Sequence, residues 1–318
     1  MKFTEEQLKC YAQPLSDTEN SKCLHTIKAI RDALKNLGYH TDSDAILPLE
    51  EGTYSYAVRL KRYRSDEEIE IFIQGSYANN TCVHGESDVD IAVIRKDIYE
   101  YAVGNGREIG IPRIQHYGAA THFKNTVERV LRDHFTSSYV HRKNKSIKVD
   151  GNTYRKQSDI VPSFGMRQIY RHDGDFSYYN EGVIIYADDG QVISNFPKQH
   201  IARGREKNVA TNHYYKKMVR IAKKLRYMME KLEYTGAMNV SSFGVESLLW
   251  NVPDCVFKRY ITYGYEFEEV ASYLYDYRSF LNTFKEANGI KILCQDSETI
   301  KNYTRFIEEM YGFFDYEN

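Results

Sequence analysis

Gln74-Gly75-Ser76-Tyr77-Ala78-Asn79-Asn80-Thr81-Cys82-Val83-His84-Gly85-Glu86-Ser87-Asp88-Val89-Asp90-Ile91-Ala92-Val93-Ile94 is the stretch on which the reading of this chain turns. Glu68 to Ile73 leads into it as a strand, and the Val/Ile content of Asp88 to Ile94 suits a second, buried strand. Residues i and i+2 of a strand share a face, so Asp88 and Asp90 present two carboxylates side by side while Val89 and Ile91 turn into the core. Hard oxygen donors on a rigid element suit Mg²⁺, which takes one or two carboxylates together with phosphate oxygens and water. Alone, an Asp-x-Asp is usually two solvated acids on a half-exposed strand. Here eleven residues separate Asp88 from Ser76, and a tight Gly75-Ser76 turn offers backbone N–H groups and a hydroxyl to phosphate oxygens. The pair of features points to a nucleoside triphosphate, a divalent ion and phosphoryl transfer to a hydroxyl.

Working outward, residues 4 to 38 read as helical with an interruption near Pro14. Thr4-Glu5-Glu6-Gln7 carries a capping box, and Leu24, Ile27, Ile30, Leu34 and Leu37 recur at helical spacing. A helix with Phe123, Val127, Val130 and Leu131 on one side follows the second strand. Ser146 to Pro162 reads as two strands joined at Asp150-Gly151, and Gly182 to Phe196 as two more joined at Asp188-Asp189-Gly190. Val209 to Tyr234 reads as one long helix with Met218, Ile221, Ala222, Leu225, Met228 and Leu232 on a face. Ser241 to Trp250, Phe267 to Lys285 and Ser297 to Tyr311 continue the helical pattern. The expected division is a mixed α/β core over residues 1–205, carrying the N-terminal helix, and a helical lobe over 206–318.

A two-metal site needs a further carboxylate from a neighbouring strand. Asp159, in Gln157-Ser158-Asp159-Ile160-Val161-Pro162, opens an apolar run and is the best candidate; it could also act on the attacking hydroxyl. Asp150, Asp188 and Asp189 are already explained as turn residues. The net charge of −1 is not built to attract a polyanion, so a long nucleic acid is not indicated as a partner. Five scattered cysteines without a CxxC pair read as reduced thiols of a cytoplasmic protein, and Cys82 with His84 is too few ligands for a metal. No apolar run is long enough to span a bilayer, so no membrane role is expected.

The Gly-Ser turn, the Asp-x-Asp and the later Asp resemble the polymerase-β-type nucleotidyltransferase superfamily. Within it the chain is most similar to the bacterial cGAS/DncV-like nucleotidyltransferases of anti-phage signalling, in particular the pyrimidine-using branch. The closer likeness is carried by Gly75 to Ile94, Asp159-Ile160-Val161-Pro162, Asn195-Phe196-Pro197-Lys198-Gln199-His200 and Ser241-Ser242-Phe243-Gly244 through Pro253, and it covers roughly residues 20 to 290. It implies an α+β fold: a polymerase-β-like core with a C-terminal helical lobe, a long N-terminal helical segment, and the active site between core and lobe. Asp88, Asp90 and Asp159 would hold two Mg²⁺, with Mn²⁺ as an alternative, and Gly75 and Ser76 would receive the triphosphate. A basic residue among 213–224 would reach the β/γ phosphates; Lys217, Arg220 and Lys224 share a face, and Lys217 ranks first. Ser242 matches a triphosphate-binding serine, Phe243 stands where an aromatic stacks on a base, and Asn195 resembles a base-pocket asparagine whose amide pairs with uracil.

The implied function is a monomeric synthase that condenses nucleoside triphosphates, UTP and ATP favoured, into a cyclic dinucleotide, releasing pyrophosphate. The diffusible product would reach a separate effector in anti-phage defence. An RNA terminal transferase, a transferase acting on a small molecule or protein, and a catalytically inactive nucleotide sensor remain alternatives. The first would extend added RNA, the second would attach NMP to another acceptor, and the third would bind NTP without turnover.

Overall fold

The computed structural model describes residues 1–41, 43, 45–83, 88–103, 116–173 and 176–317; His84 to Ser87 of the opening stretch lie outside the described residues. In chain order the elements are β1 (Lys2–Phe3), α1 (Glu5–Tyr11), α2 (Asp17–Lys35), β2 (Tyr39–His40), β3 (Leu47–Pro48), β4 (Tyr56–Arg62), β5 (Glu68–Gln74), α3 (Gly75–Ala78), β6 (Val89–Val103), α4 (Tyr117–Phe135), β7 (Val140–Arg142) and β8 (Ile147–Val149). They continue with β9 (Ser158–Asp173), β10 (Phe176–Tyr186), β11 (Val192–Asn195), α5 (Pro197–Ala210), α6 (Tyr214–Lys231), α7 (Thr235–Asn239), α8 (Ser242–Trp250), α9 (Tyr263–Asp276), α10 (Ser297–Phe313) and β12 (Asp315–Tyr316). Packing groups them into two units, Leu15–Asn79 with Ser87–Ile201, and Met1–Pro14 with Asn80–Glu86 and Ala202–Asn318. The expected division lies at 205/206 with the whole N-terminal segment in the core; by packing, Met1–Pro14 groups with Ala202–Asn318, and the segment divides at Pro14, between α1 and α2.

The first unit is built on a mixed sheet in the order β11-β10-β9-β6-β5-β4-β2, with β3 on β4 and β7-β8 on the start of β9. Ile69, Ile71, Ile73, Val89, Ile91 and Val93 are fully buried, as expected of central strands. All neighbours pair antiparallel except β6 and β9, which run parallel. Pro162, with no N–H to donate, lies between the part of β9 that pairs with β8 and the part that pairs with β10. Helix α2 begins at a Ser16–Glu19 capping box and buries Cys23, Ile27, Ile30 and Leu34.

Two expectations are corrected here. Asp150-Gly151 is not a two-residue hairpin turn: it opens a connection to β9 whose Asn152 and Tyr154 backbones are tied to Arg155 and His25. The tight hairpin is one step earlier, Arg142 pairing with Ile147 across Lys143 to Ser146. The long helix expected from Val209 begins instead at Tyr214, as α6, and Val209 and Ala210 are the last residues of α5. Asn212 and His213 take left-handed backbone angles (φ 51° and 66°) and end α5. Thr211 Oγ1 and Asn208 Oδ1 then accept the N–H groups of Tyr215 and Lys216, capping α6 afresh.

In the helical unit, α6 turns Tyr215, Met218, Val219, Ile221, Ala222, Leu225 and Met229 into a core shared with Val245, Leu248, Phe267, Leu274, Phe306 and Ile307. The unit's two-stranded sheet pairs β1 with β12 in parallel, an element that two residues per strand cannot announce in sequence. A buried polar triad completes it: Lys223 Nζ lies 2.6 Å from Glu246 and 3.0 Å from Thr81 Oγ1, and Thr81 donates to Glu246 at 2.7 Å. Every member holds both others, which is how a buried ion pair avoids its desolvation cost.

Lys216 is different. It is 7% exposed, and no carboxylate pairs with its ammonium among the described residues. Burial pushes it down to about 8; Glu246 pulls it back, and Arg220 and Arg205 push it further. A folded-state value below the ordinary lysine value means that the folded protein carries the full cost of this charge below pH 8 and loses it as pH rises toward 10.5. Lys216→Met is therefore expected to stabilise the protein at pH 7 by roughly 3 kcal/mol. That gain should vanish near pH 10.5, as read from urea denaturation at the two pH values.

Candidate active site

The parallel register of β6 on β9 puts Asp90 directly beside Asp159. The antiparallel register of β5 on β6 puts Gln74 opposite Asp90, so the chain leaves β5 into the Gly75 turn at the level of that carboxylate. Asp88 precedes β6 by one residue and Asp90 by two. Three acids thus lie at one end of two adjacent strands. Gly75 has φ 67°, a conformation that costs other residues strain, and a Cβ built on it would stand 2.5 Å from Asp90 Oδ2. The glycine of the Gly-Ser pair is thus required twice, by its backbone angle and by the carboxylate lying over it.

Each outer acid has a protein partner. Gln157 Nε2 donates to Asp88 Oδ1 at 2.7 Å. Lys143 Nζ lies 3.0 Å from Asp159 Oδ1 and 3.2 Å from Oδ2, and Ser146 Oγ donates to Oδ1 at 3.3 Å. With the side chains turned to these partners, no three acid, histidine or cysteine groups among the described residues close on a single point. The donor set still fits a divalent ion: carboxylate oxygens only, on rigid strands, with a bare Cα beside the central one. Ser76 is half-buried in the short helix α3, and its hydroxyl makes no hydrogen bond among the described residues.

Asn195 ends β11 and is half-buried. Its Oδ1 accepts the N–H of Phe196 at 2.8 Å, which leaves the amide NH₂ as its free hydrogen-bonding group among the described residues. In the helical unit, Ser242 opens α8, and its Oγ lies 3.1 Å from Tyr227 Oη. Phe243 is half-buried and stands outside the helical core. Gly244, next along, leaves space for the Tyr303 hydroxyl, which would lie 1.9 Å from a Cβ there.

The basic residues of α6 have distinct surroundings. Lys217 places its ammonium over the rings of Tyr214 and Tyr263, at 4.8 and 5.3 Å. Arg220, 4% exposed, donates to the carbonyls of Ala12 and Asn80. Lys223 belongs to the buried triad. Lys224 is half-buried, three residues before Tyr227 and hence on the stretch of α6 beside Ser242, whereas Lys217 is ten residues, roughly 15 Å, earlier. Sequence reasoning missed Lys143 and Gln157. Gln157 had a signal, two residues before Asp159; Lys143 sits in a polar break that reads only as a turn.

Residues 202–315 match the cGAS/DncV-like nucleotidyltransferase C-terminal helical domain. The chain is 41% identical over 320 residues to the cyclic GMP-AMP synthase CdnE03 of Staphylococcus schleiferi, covering 99% of this chain and 98% of that one. It is 34% identical over 278 residues to the cyclic dipyrimidine nucleotide synthase CdnE of Cecembia lonarensis, covering 86% and 84%. The solved CdnE cyclic dinucleotide synthase of Elizabethkingia meningoseptica, with GTP and Apcpp, superposes with a TM-score of 0.74 at 29% identity over 98% of each chain. No helix among the described residues is long and apolar enough to cross a membrane. The chain belongs to the cGAS/DncV-like nucleotidyltransferases, a family of cyclic nucleotide synthases.

Proposed function

We propose that this enzyme joins two nucleoside triphosphates through their ribose hydroxyls into a cyclic dinucleotide, using Asp88, Asp90 and Asp159. The observation that carries the proposal is the Asp90–Asp159 pairing across β6 and β9, beside a glycine that yields its Cβ position to Asp90. In each step a ribose oxygen attacks an α-phosphorus, the bond to the bridging oxygen breaks, and pyrophosphate leaves. Two Mg²⁺ held by the three carboxylates would supply charge neutralisation on the phosphates and acidify the attacking hydroxyl. Asp159 would orient that hydroxyl, and Ser76 would donate to a phosphate oxygen. The released product would carry a signal to a separate effector. Asp90→Asn is expected to abolish product formation while leaving circular dichroism and the thermal transition in place; full activity would remove the metal-site assignment.

For the triphosphate, Ser242 together with Lys224 is the better-supported pair, in place of Lys217. Lys224 lies one turn from Tyr227, whose hydroxyl meets Ser242, whereas Lys217 is roughly 15 Å earlier along α6. Lys224→Ala should raise KM for NTP about tenfold, the loss of one charged hydrogen bond, and Lys217→Ala should raise it far less. The reverse order in steady-state kinetics would restore Lys217.

Asn195 bears on the base. With Oδ1 held by Phe196, its amide presents donors, which suit a base carbonyl such as O4 of uracil and oppose the exocyclic amines of adenine and cytosine. We therefore propose uridine in the product, with ATP as the second substrate. Guanine O6 is the other carbonyl that the same donors would accept. Mass spectrometry of products from each NTP mixture with Mg²⁺ tests this: uridine incorporation that falls in Asn195→Ala supports it, and a product of purines alone removes the uridine assignment.

A further inference from the structure

The third carboxylate of the site has a resident cation. Lys143 Nζ lies within 3.2 Å of both oxygens of Asp159, and its position is not that of a loosely hung surface lysine. The turn that carries it is braced from below. Lys124, 3% exposed on α4, donates to the carbonyls of Lys143 and Asn144 at 2.9 and 2.7 Å and pairs with Asp188 at 3.0 Å. Arg142, at the foot of the same turn, holds Asp188 and Glu128 at 2.7 Å each. Asn144 completes the clamp, giving its amide to Asp189 at 2.8 Å and accepting the Asp189 N–H at 3.0 Å. Two turns, Lys143–Ser146 and Asp188–Gly190, are thereby locked together, and the lock fixes the height at which Lys143 leaves the hairpin.

We propose that Lys143 is a positioning residue of the active site: a place-holding cation that occupies Asp159 until a divalent metal displaces it. The inference rests on the metal-site reading above. Its physical basis is charge. Asp90 and Asp159 stand abreast on adjacent strands, and an ammonium bridging both oxygens of Asp159 offsets the repulsion between them and orients that carboxylate. The same ammonium competes with any metal for those oxygens. Metal binding in the absence of nucleotide is weakened, so the ion loads more readily with the triphosphate that brings its own oxygens. The carbons of Lys143 span no core, and its side chain is 44% exposed, so replacing it leaves the fold intact.

The test is a titration of the full chain with Mn²⁺ and no nucleotide, free Mn²⁺ being followed by electron paramagnetic resonance. Lys143→Met should bind Mn²⁺ about three-fold more tightly than the parent, the worth of one partly exposed ion pair, and Lys143→Arg should bind as the parent does. Binding by Lys143→Met that is unchanged or weaker overturns the proposal. Asp159→Asn separates the two readings. If it weakens Mn²⁺ binding while Lys143→Met has no effect, the metal site stands and the place-holder falls. If Asp159→Asn also leaves Mn²⁺ binding unchanged, the metal-site reading fails, and the proposal with it.

Discussion

Two like charges held abreast on adjacent strands are the constraint around which the sheet unit is arranged. Neighbouring strands lie about 4.8 Å apart, and unit charges at that spacing repel by roughly 1 kcal/mol in bulk water and about 3 near a protein surface. An ordinary sheet avoids the arrangement. Here the parallel pairing of β6 with β9 enforces it. The surroundings follow from that choice: a glycine with no Cβ beside one carboxylate, a glutamine amide on the flanking acid, and a braced lysine on the third. The apolar residues that alternate with the acids, Val89, Ile91 and Ile160, are fully buried and keep the register from slipping.

The helical unit divides its basic residues by what surrounds them rather than by where they fall on the helix. Lys223 is closed into a triad, Arg220 is spent on two backbone carbonyls, and Lys217 lies on aromatic faces. Lys216 is held in the interior without a carboxylate of its own, at a cost in stability that Glu246 offsets only in part. Helical periodicity places all four within two turns and cannot distinguish them. Their roles separate only when the partner elements are known.

That contrast runs through the whole chain. Local signals were legible wherever one residue type has one physical use. The capping box at Thr4, the burial of β5 and β6 and the turn at Asp188 to Gly190 stand as the sequence suggested, because capping, alternation and left-handed glycine are short-range effects. What failed depended on partners distant in sequence. Asn212-His213 can break a helix or sit inside one, and side chains from α5 decide it. Asp150-Gly151 has the composition of a hairpin turn, yet the pairing of β8 with β7 gives the turn to Lys143–Ser146. The acids could be listed from sequence as a set; that Asp90 and Asp159 face each other in register, and that Lys143 attends them, is a property of strand pairing.

The short parallel pairing of β1 with β12 sets an order of events during synthesis. Residues 1–14 emerge before the rest of their unit, most of which begins at Ala202, and their strand partner is Asp315–Tyr316. At roughly 5–20 residues per second, some tens of seconds pass before that partner exists. The sheet unit, nearly contiguous from Leu15 to Ile201, is complete well before then. The N-terminal segment must therefore wait as an unpaired, partly apolar arm, with Phe3 and Leu8 exposed until the last helices arrive. Until residues 202–316 have emerged, ribosome-bound chains of this protein would present that arm to chaperones, and its docking would follow the folding of the sheet unit.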